Sequence, residues 1–276
     1  MDQKRGYMNN GEVNENYIVS SLVRGFQILS AFTPNRPVLR VSEIAEITGI
    51  DQATAYRFVY TLEKLGYLVR DEQTKRYHQS VRMLTLGLPA RLGVPVRAIA
   101  IPTMFELCNK IREIVNLCVL DDVDTVTIAT AEIQERFVFS TAIGHRSPGF
   151  CTAAGRIMLA YEPVETWDRL ISRMELTPYT QKTIVDPARL REELTKARKQ
   201  GYAIQEGELV ENVGSVAAPI FDSKREVAAA VEVTSYSEQI IHNGEKRDAV
   251  ISGLLDISET ISYRLGHNLT KLQDQA

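Results

Sequence analysis

The sequence predicts an α+β chain with an amino-terminal winged helix-turn-helix, a helical linker and a carboxy-terminal α/β domain. Three observations carry this prediction. Two short helices separated at Gly49, with a third ahead of them, lead into a charged hairpin. A helical stretch interrupted by Pro89, Pro95 and Pro102 follows. Beyond it, segments of period-two apolar patterning alternate with segments of helical period.

Bulk composition agrees. The chain has 276 residues, 44% apolar and 24% charged, which suits about two soluble domains. No window approaches the roughly 18 uninterrupted apolar residues of a membrane span, and "MDQKRGYMNNGEVNENY" lacks an apolar signal core, so a cytoplasmic location is expected. Cys108, Cys118 and Cys151 are widely spaced and odd in number; buried free thiols are expected rather than a disulfide framework. Net charge is -3 but unevenly spread. Residues 19–90 hold nine Lys and Arg against six Asp and Glu, while residues 91–276 hold 21 against 26. A basic amino-terminal module suits a polyanionic partner.

Residues 1–17, polar and rich in Asn and Glu, read as a disordered tail. Ser20 or Ser21 caps a first helix with Leu22, Phe26 and Leu29 on its apolar side, and "TPNRPV" ends it. Ser42 caps a second helix with Ile44, Ala45 and Ile47 inward, and Gly49 supplies its left-handed exit. Asp51 caps a third. Ala55, Val59 and Leu62, with Phe58 and Leu65, form its core stripe, which leaves Ala53, Tyr56, Arg57, Tyr60 and Lys64 on the opposite side. "GYLVRDEQTKRYHQ" then reads as a hairpin wing. A solvated charged face on an unrelated three-helix bundle is the competing reading, and the joint spacing of all four elements disfavours it.

Residues 81 to about 113 read as a short linker helix and a longer helix. Their apolar content, Leu84, Leu86, Leu88, Leu92, Ile99, Ile101 and Met104, points to a dimer contact. In the body, "NLCVLDDVDTVTIATAEI" reads as two strands about an Asp-rich turn and "RFVFSTAIG" as another strand. "CTAAGRIMLAY" and "ETWDRLISRM" read as helices. "DPARLREELTKARKQG" is a helix with Asp186 as cap and Gly201 as stop. "SVAAPIFD" and "EVAAAVEVTSY" flank the turn "SKR", and a last helix runs from about Gly244 to Leu265.

The chain from Val19 to about Gly266 resembles the isocitrate-lyase-regulator (IclR) type of bacterial transcription factor. The resemblance is carried by "VSEIAEITGIDQATAYRFVYTLEKLGYL", "GHRSPGFCTAAGRIMLA", "KQGYAI" and "GSVAAPIFDSKREVAAAVEVT", in that order and separation. It implies a winged helix-turn-helix (residues 18–80), a linker helix (81–94) and a GAF-like α/β effector-binding and oligomerisation domain (95–276). It also implies that two subunits, often as a pair of dimers, bind a palindromic operator on double-stranded DNA. One short recognition helix reads too few base pairs to be selective, so a two-fold repeat fits the physics.

The expected groove-facing residues are Gln52, Ala53, Thr54, Tyr56, Arg57 and Tyr60. Arg can fork onto guanine and Gln onto adenine, and Arg57 has a phosphate contact as its alternative. Lys64, Arg70, Lys75 and Arg76, with Arg40 and Arg24, are expected on phosphates. For the effector, small residues opening the "TAAGR" helix would let backbone N–H groups face an anion. The resemblance implies a pocket lined by Gly155, Arg156, Gln205, Ser215, Glu232 and Thr234, with His145 and Met158 at its margin. Gln205 and Glu232 depart from the family pattern, being respectively acidic and often Ser or Asn in relatives. An inward Glu232 would disfavour a simple anion beside it and suit a hydroxyl, an aldehyde hydrate or an ammonium; a one-residue register slip would instead turn it to solvent.

No metal or cofactor is expected. His78, His145, His242 and His267 and the cysteines never approach ligand spacing, and Cys151 with His145 lacks an orienting third group. The reading is a DNA-binding repressor controlled by a short carboxylate, semialdehyde or aromatic acid. The alternatives are an activator on the same fold and, from another class, an enzyme whose winged helix is a dimer module.

Overall fold

The computed structural model describes residues 17–92, 95–133 and 142–267. The chain divides into two compact units after Gly93.

The first unit holds α1 (Ser20–Ser30), β1 (Val38–Leu39), α2 (Val41–Thr48), α3 (Gln52–Lys64), β2 (Leu68–Arg70), β3 (Tyr77–Gln79) and α4 (Arg82–Leu92). The strands form an antiparallel sheet in the order β1-β3-β2. Its core is Ile28, Leu29, Phe32, Leu39, Ile44, Val59, Leu68 and Tyr77. Gly49 takes the left-handed backbone (φ 68) that ends α2. Asp51 accepts the Thr54 N–H at 2.9 Å and starts α3 one turn later. At the wing tip Asp71 accepts from the N–H groups of Gln73 (3.0 Å) and Thr74 (2.7 Å) and from the Thr74 hydroxyl (2.9 Å), which fixes the turn.

Several local expectations are corrected. The cap of α1 is Val19, which makes no side-chain bond, rather than Ser20 or Ser21. Only the last turn of α1 reaches the core through Ile28 and Leu29, so Leu22 and Phe26 stand 60% and 56% exposed. Ser42 is not the cap of α2: the N-cap is Arg40, whose N–H is accepted by the Glu43 carboxylate at 2.6 Å. Leu65 follows the end of α3 and is exposed. β1, not foreseen, follows Pro37 and pairs Val38 with His78 and Leu39 with Tyr77.

The second unit holds α5 (Pro95–Ile111), β4 (Ile114–Asp121), β5 (Asp124–Ala131), β6 (Arg146–Pro148), a 3₁₀ turn (Gly149–Cys151), α6 (Ala153–Tyr161), α7 (Trp167–Ser172) and α8 (Pro187–Gln200). β7 (Ala203–Glu206), β8 (Val213–Phe221), β9 (Val227–Tyr236), α9 (Ser237–Ile240) and α10 (Gly244–Arg264) follow. Among the described residues six strands make one antiparallel sheet, in the order β6-β5-β4-β9-β8-β7. One face packs Leu117, Val216, Val231 and Val233 against α5 and α10. The other packs Cys118, Ala203, Ala217 and Ala230 against α6 and α8. This burial on both faces explains the near-continuous apolar run of β8. Of the apolar residues of α5, Met104 is wholly buried in this core and Ile99 and Ile101, partly buried, pack against it. β7 and α9 were not foreseen, and most of "RFVFSTAIG" lies outside the described residues, as does the expected tail before Tyr17.

The start of α6 is held unusually close to the turn before it. Thr152 caps the helix by accepting the Gly155 N–H at 3.2 Å. A Cβ on Gly155 would lie 2.3 Å from both Cα and the carbonyl oxygen of Gly149, so no side chain fits. The register of β9 sets Glu232 opposite Ala217 on β8 and Asn116 on β4. It therefore faces α6, and the slipped register that would turn it to solvent is not adopted. Burial pushes the Glu232 carboxyl above the usual glutamate range, against the lowering effect of hydrogen bonds from Ala154, Ser215 and Thr234.

Two outcomes follow. Gly155→Ala should cost ~1–3 kcal/mol through overpacking, seen as a lower urea midpoint at unchanged m. Because the folded carboxyl of Glu232 binds its proton more tightly than the unfolded one, protonation favours the fold. The wild-type chain should thus lose stability relative to Glu232→Gln as pH rises from about 4.3 towards neutrality, read as a growing melting-temperature gap in favour of the variant.

Candidate DNA-reading face and effector site

The outward side of α3 carries Gln52, Ala53, Tyr56, Arg57, Tyr60 and Lys64, all exposed. They are outward because Ala55 and Val59, on the opposite side of the same helix, are fully buried. Tyr56 (52% exposed) and Tyr60 (49%) stack with ring centroids 6.5 Å apart, and Lys64 Nζ lies 5.0 Å from the Tyr60 centroid. The result is a preassembled aromatic and cationic ridge. Arg57 forms no ion pair among the described residues. Thr54 is half-buried and bound to the Asp51 cap, so it stands at the edge of this face.

The wing cations divide. Lys75 is exposed in the left-handed region (φ 57) and bridges to Glu72 at 3.1 Å. Arg76 reaches Glu43 at 3.7 Å, and both partners are solvent-accessible, which leaves the contact weak and exchangeable. Arg70 instead lies over the Tyr77 ring at 5.9 Å with its Nε buried and unpartnered, so it is the least available of the three.

In the second unit, three predicted residues share one row across the sheet: Gln205 on β7 pairs with Ser215 on β8, which pairs with Thr234 on β9. Glu232 follows two residues before Thr234 on the same face. The Glu232 Oε1 accepts the Ala154 N–H at the start of α6 at 3.1 Å. With its amide oriented to satisfy both donors, the Gln205 oxygen accepts from the N–H groups of Gly207 (3.3 Å) and Glu208 (2.6 Å), and its nitrogen faces Ser215 Oγ at 3.4 Å.

Arg156 is buried and fully engaged. Its Nε donates to the Phe150 carbonyl at 2.9 Å, and both Nη atoms donate to the Glu208 carboxylate at 2.6 and 2.5 Å. Glu208 also accepts the Ile184 N–H at 3.2 Å. This bidentate pair neutralises the guanidinium and ties α6 to the loop after β7. The anion expected before the "TAAGR" helix is thus supplied by the chain itself: Glu232 takes the Ala154 amide and Thr152 takes that of Gly155. Met158 packs into the apolar core between α6 and α8. His145 is exposed on the turn before β6 and makes no hydrogen bond to any of the others. Glu208 and Asn116 were missed, since a lone acid in "GELV" and an Asn within a strand carry no pairing signal in sequence.

A separate cavity of about 270 Å³ lies at the free edge of β7 between α8 and α10, lined in part by Arg156, Glu193, Lys196, Tyr202 and Arg247. Apart from Arg156 it takes in none of the predicted residues. Burial raises the Cys118 thiol well above its ordinary range and Cys151 to about 12, so neither is a poised nucleophile. No cluster of metal-ligating side chains occurs among the described residues, and none of their helices is long and apolar enough to cross a membrane.

Residues 21–72 match the IclR helix-turn-helix domain, and residues 92–263 match the bacterial transcriptional regulator IclR C-terminal domain. The chain is 29% identical over 245 residues to the HTH-type transcriptional regulator KipR of Bacillus subtilis (strain 168), covering 88% of this chain and 97% of that one. It is 28% identical over 218 residues to the transcriptional repressor IclR of Escherichia coli (strain K12), covering 78% and 80%. An IclR homologue from Microbacterium hydrocarbonoxydans, solved with 4-hydroxybenzoate, shares the fold with a TM-score of 0.73 at 22% identity, over 88% of this chain and 99% of that one. With its winged helix-turn-helix and its α/β unit, the chain belongs to the IclR family of DNA-binding transcriptional regulators, not to an enzyme family.

Proposed function

We propose that this regulator is a repressor whose hold on a palindromic operator is set by a small organic metabolite bound in the α/β unit. The observation that carries the DNA reading is the ridge of Tyr56, Arg57, Tyr60 and Lys64, which α3 leaves open while its other side is buried. Gln52, Ala53, Thr54, Tyr56, Arg57 and Tyr60 would enter the major groove. Lys64, Lys75 and Arg76, and Arg70 once lifted from Tyr77, would meet phosphates. Residues 18–80 would form the DNA-binding domain, 81–94 the linker and 95–276 the sensing domain, working in the cytoplasm.

Two-fold assembly is supported by the apolar side chains that the first unit leaves in solvent, Leu22, Val23 and Phe26 on α1 and Leu84 and Leu86 on α4. A homodimer would cover them and set two recognition helices on paired half-sites; two such dimers would form the larger assembly. For the effector, Gln205, Ser215, Glu232 and Thr234 supply a polar row under α6, with Gly155, pressed against Gly149, and Arg156, held by Glu208, as its supports rather than ligand contacts. A strong switch requires the metabolite to favour one arrangement by several kcal/mol.

Arg57→Ala should weaken operator binding about tenfold or more, the loss of a ~1–3 kcal/mol base contact, while circular dichroism and melting stay unchanged. Undiminished binding would remove Arg57 from the interface. Lys75→Ala should lower the slope of log K against log salt by about one unit without altering site preference, and an unaltered slope would argue against phosphate contact.

A further inference from the structure

The layer beneath α6 holds one carboxyl group that no cation in the described chain pairs. Glu232 is 8% exposed. What surrounds its carboxyl is neutral: the Ala154 N–H at 3.1 Å, the hydroxyls of Ser215 and Thr234, and the side-chain row shared with Asn116 and Ala217. No Lys, Arg or His among the described residues makes an ion pair with it. Arg156, the cation that α6 itself brings into this layer, is consumed by both oxygens of Glu208. This layer therefore holds two carboxyl groups, Glu208 and Glu232, and one guanidinium.

A layer with that balance treats incoming charges differently. A carboxylate entering beside Glu232 would set two acidic groups together with no cation to pair either, and the α6 amides that could have received it are already taken by Glu232 and Thr152. A donor, above all a cationic one, would instead recover what burial of Glu232 costs. Such a carboxylate, buried and unpaired by charge, is expensive for a fold that packs Ala217 and Ala230 on the same face. A recognition role would account for that expense.

We propose that Glu232 is the head-group acceptor of the effector site and that the effector presents a cationic or neutral N–H or O–H donor to it, not a carboxylate. The proposal rests on the effector reading above and narrows it. Isosteric probes separate the charge classes: acetate, acetamide and acetamidine, and benzoate, benzamide and benzamidine. Melting of the full-length protein with each probe is the readout, repeated with Glu232→Gln and Glu232→Ser.

In wild-type protein an amidine should raise the melting temperature in a saturable way, the amide less, and the carboxylates not at all. Glu232→Gln should abolish the amidine shift, and Glu232→Ser should admit a carboxylate. The wild-type comparison decides even if neither variant folds. Absence of an amidine-dependent shift overturns the proposal. If a carboxylate stabilises the wild type instead, the effector reading survives without it; if no probe of either series acts on wild type or Glu232→Ser, both readings fall together. An amidine shift that persists in Glu232→Gln also overturns it, since binding would then lie elsewhere.

Discussion

The α/β unit depends on how closely the start of α6 can approach the turn that precedes it. Gly155 lies where a single added carbon would strike the backbone of Gly149, and this contact sets the start of the helix directly against that turn. Once there, its first free amides must be satisfied in a buried setting, and Thr152 and Glu232 do so. Arg156, one residue further, reaches down to the Glu208 carboxylate and brings the loop after β7 with it. One close backbone contact thus determines which polar groups of four separate elements meet. Breaking the Arg156–Glu208 pair on one side would strand a buried charge, which makes it a support of the site rather than a spare anion receptor.

The DNA-binding unit follows a different economy. It is small, and its core is assembled from the last turn of α1, the inner faces of α2 and α3, and the three-stranded sheet. The exposed ridge of α3 is arranged before any partner arrives, because Tyr56 stacks on Tyr60 and Lys64 lies by the same ring. Little conformational entropy then remains to be lost on docking. The surface ion pairs of Lys75 and Arg76 are worth little in water, so a phosphate can replace their carboxylate partners.

How much of this was legible in the sequence varied with the range of the interactions. Gly49, Asp51, Asp186 and Gly201 were readable because caps and left-handed stops are determined within a few residues. The outward side of α3 was readable from its helical period. The exposure of Leu22 and Phe26 and the burial of Met104 were not, because period tells which residues share a face and not what covers that face. In the candidate effector site, Ser215, Glu232 and Thr234 were named by the resemblance to the family, while strand alternation alone left the facing of Glu232 open to a one-residue slip. The state of Arg156 depended on Glu208, 52 residues away in sequence, and only the folded chain brings them into contact. β1 and β7 escaped notice because strands of two and four residues carry almost no periodic signal.

The central claim is that one unit reads duplex DNA on a two-fold pattern while the other answers to a small molecule. Selection of bound fragments from a random duplex pool, followed by footprinting and by release with candidate metabolites, tests it most directly. The account predicts enrichment of an inverted repeat, protection of two half-sites about one helical turn or a multiple of it apart, and loss of protection with a subset of donor-bearing compounds. A pool that shows no enrichment over bulk competitor at moderate ionic strength would contradict it.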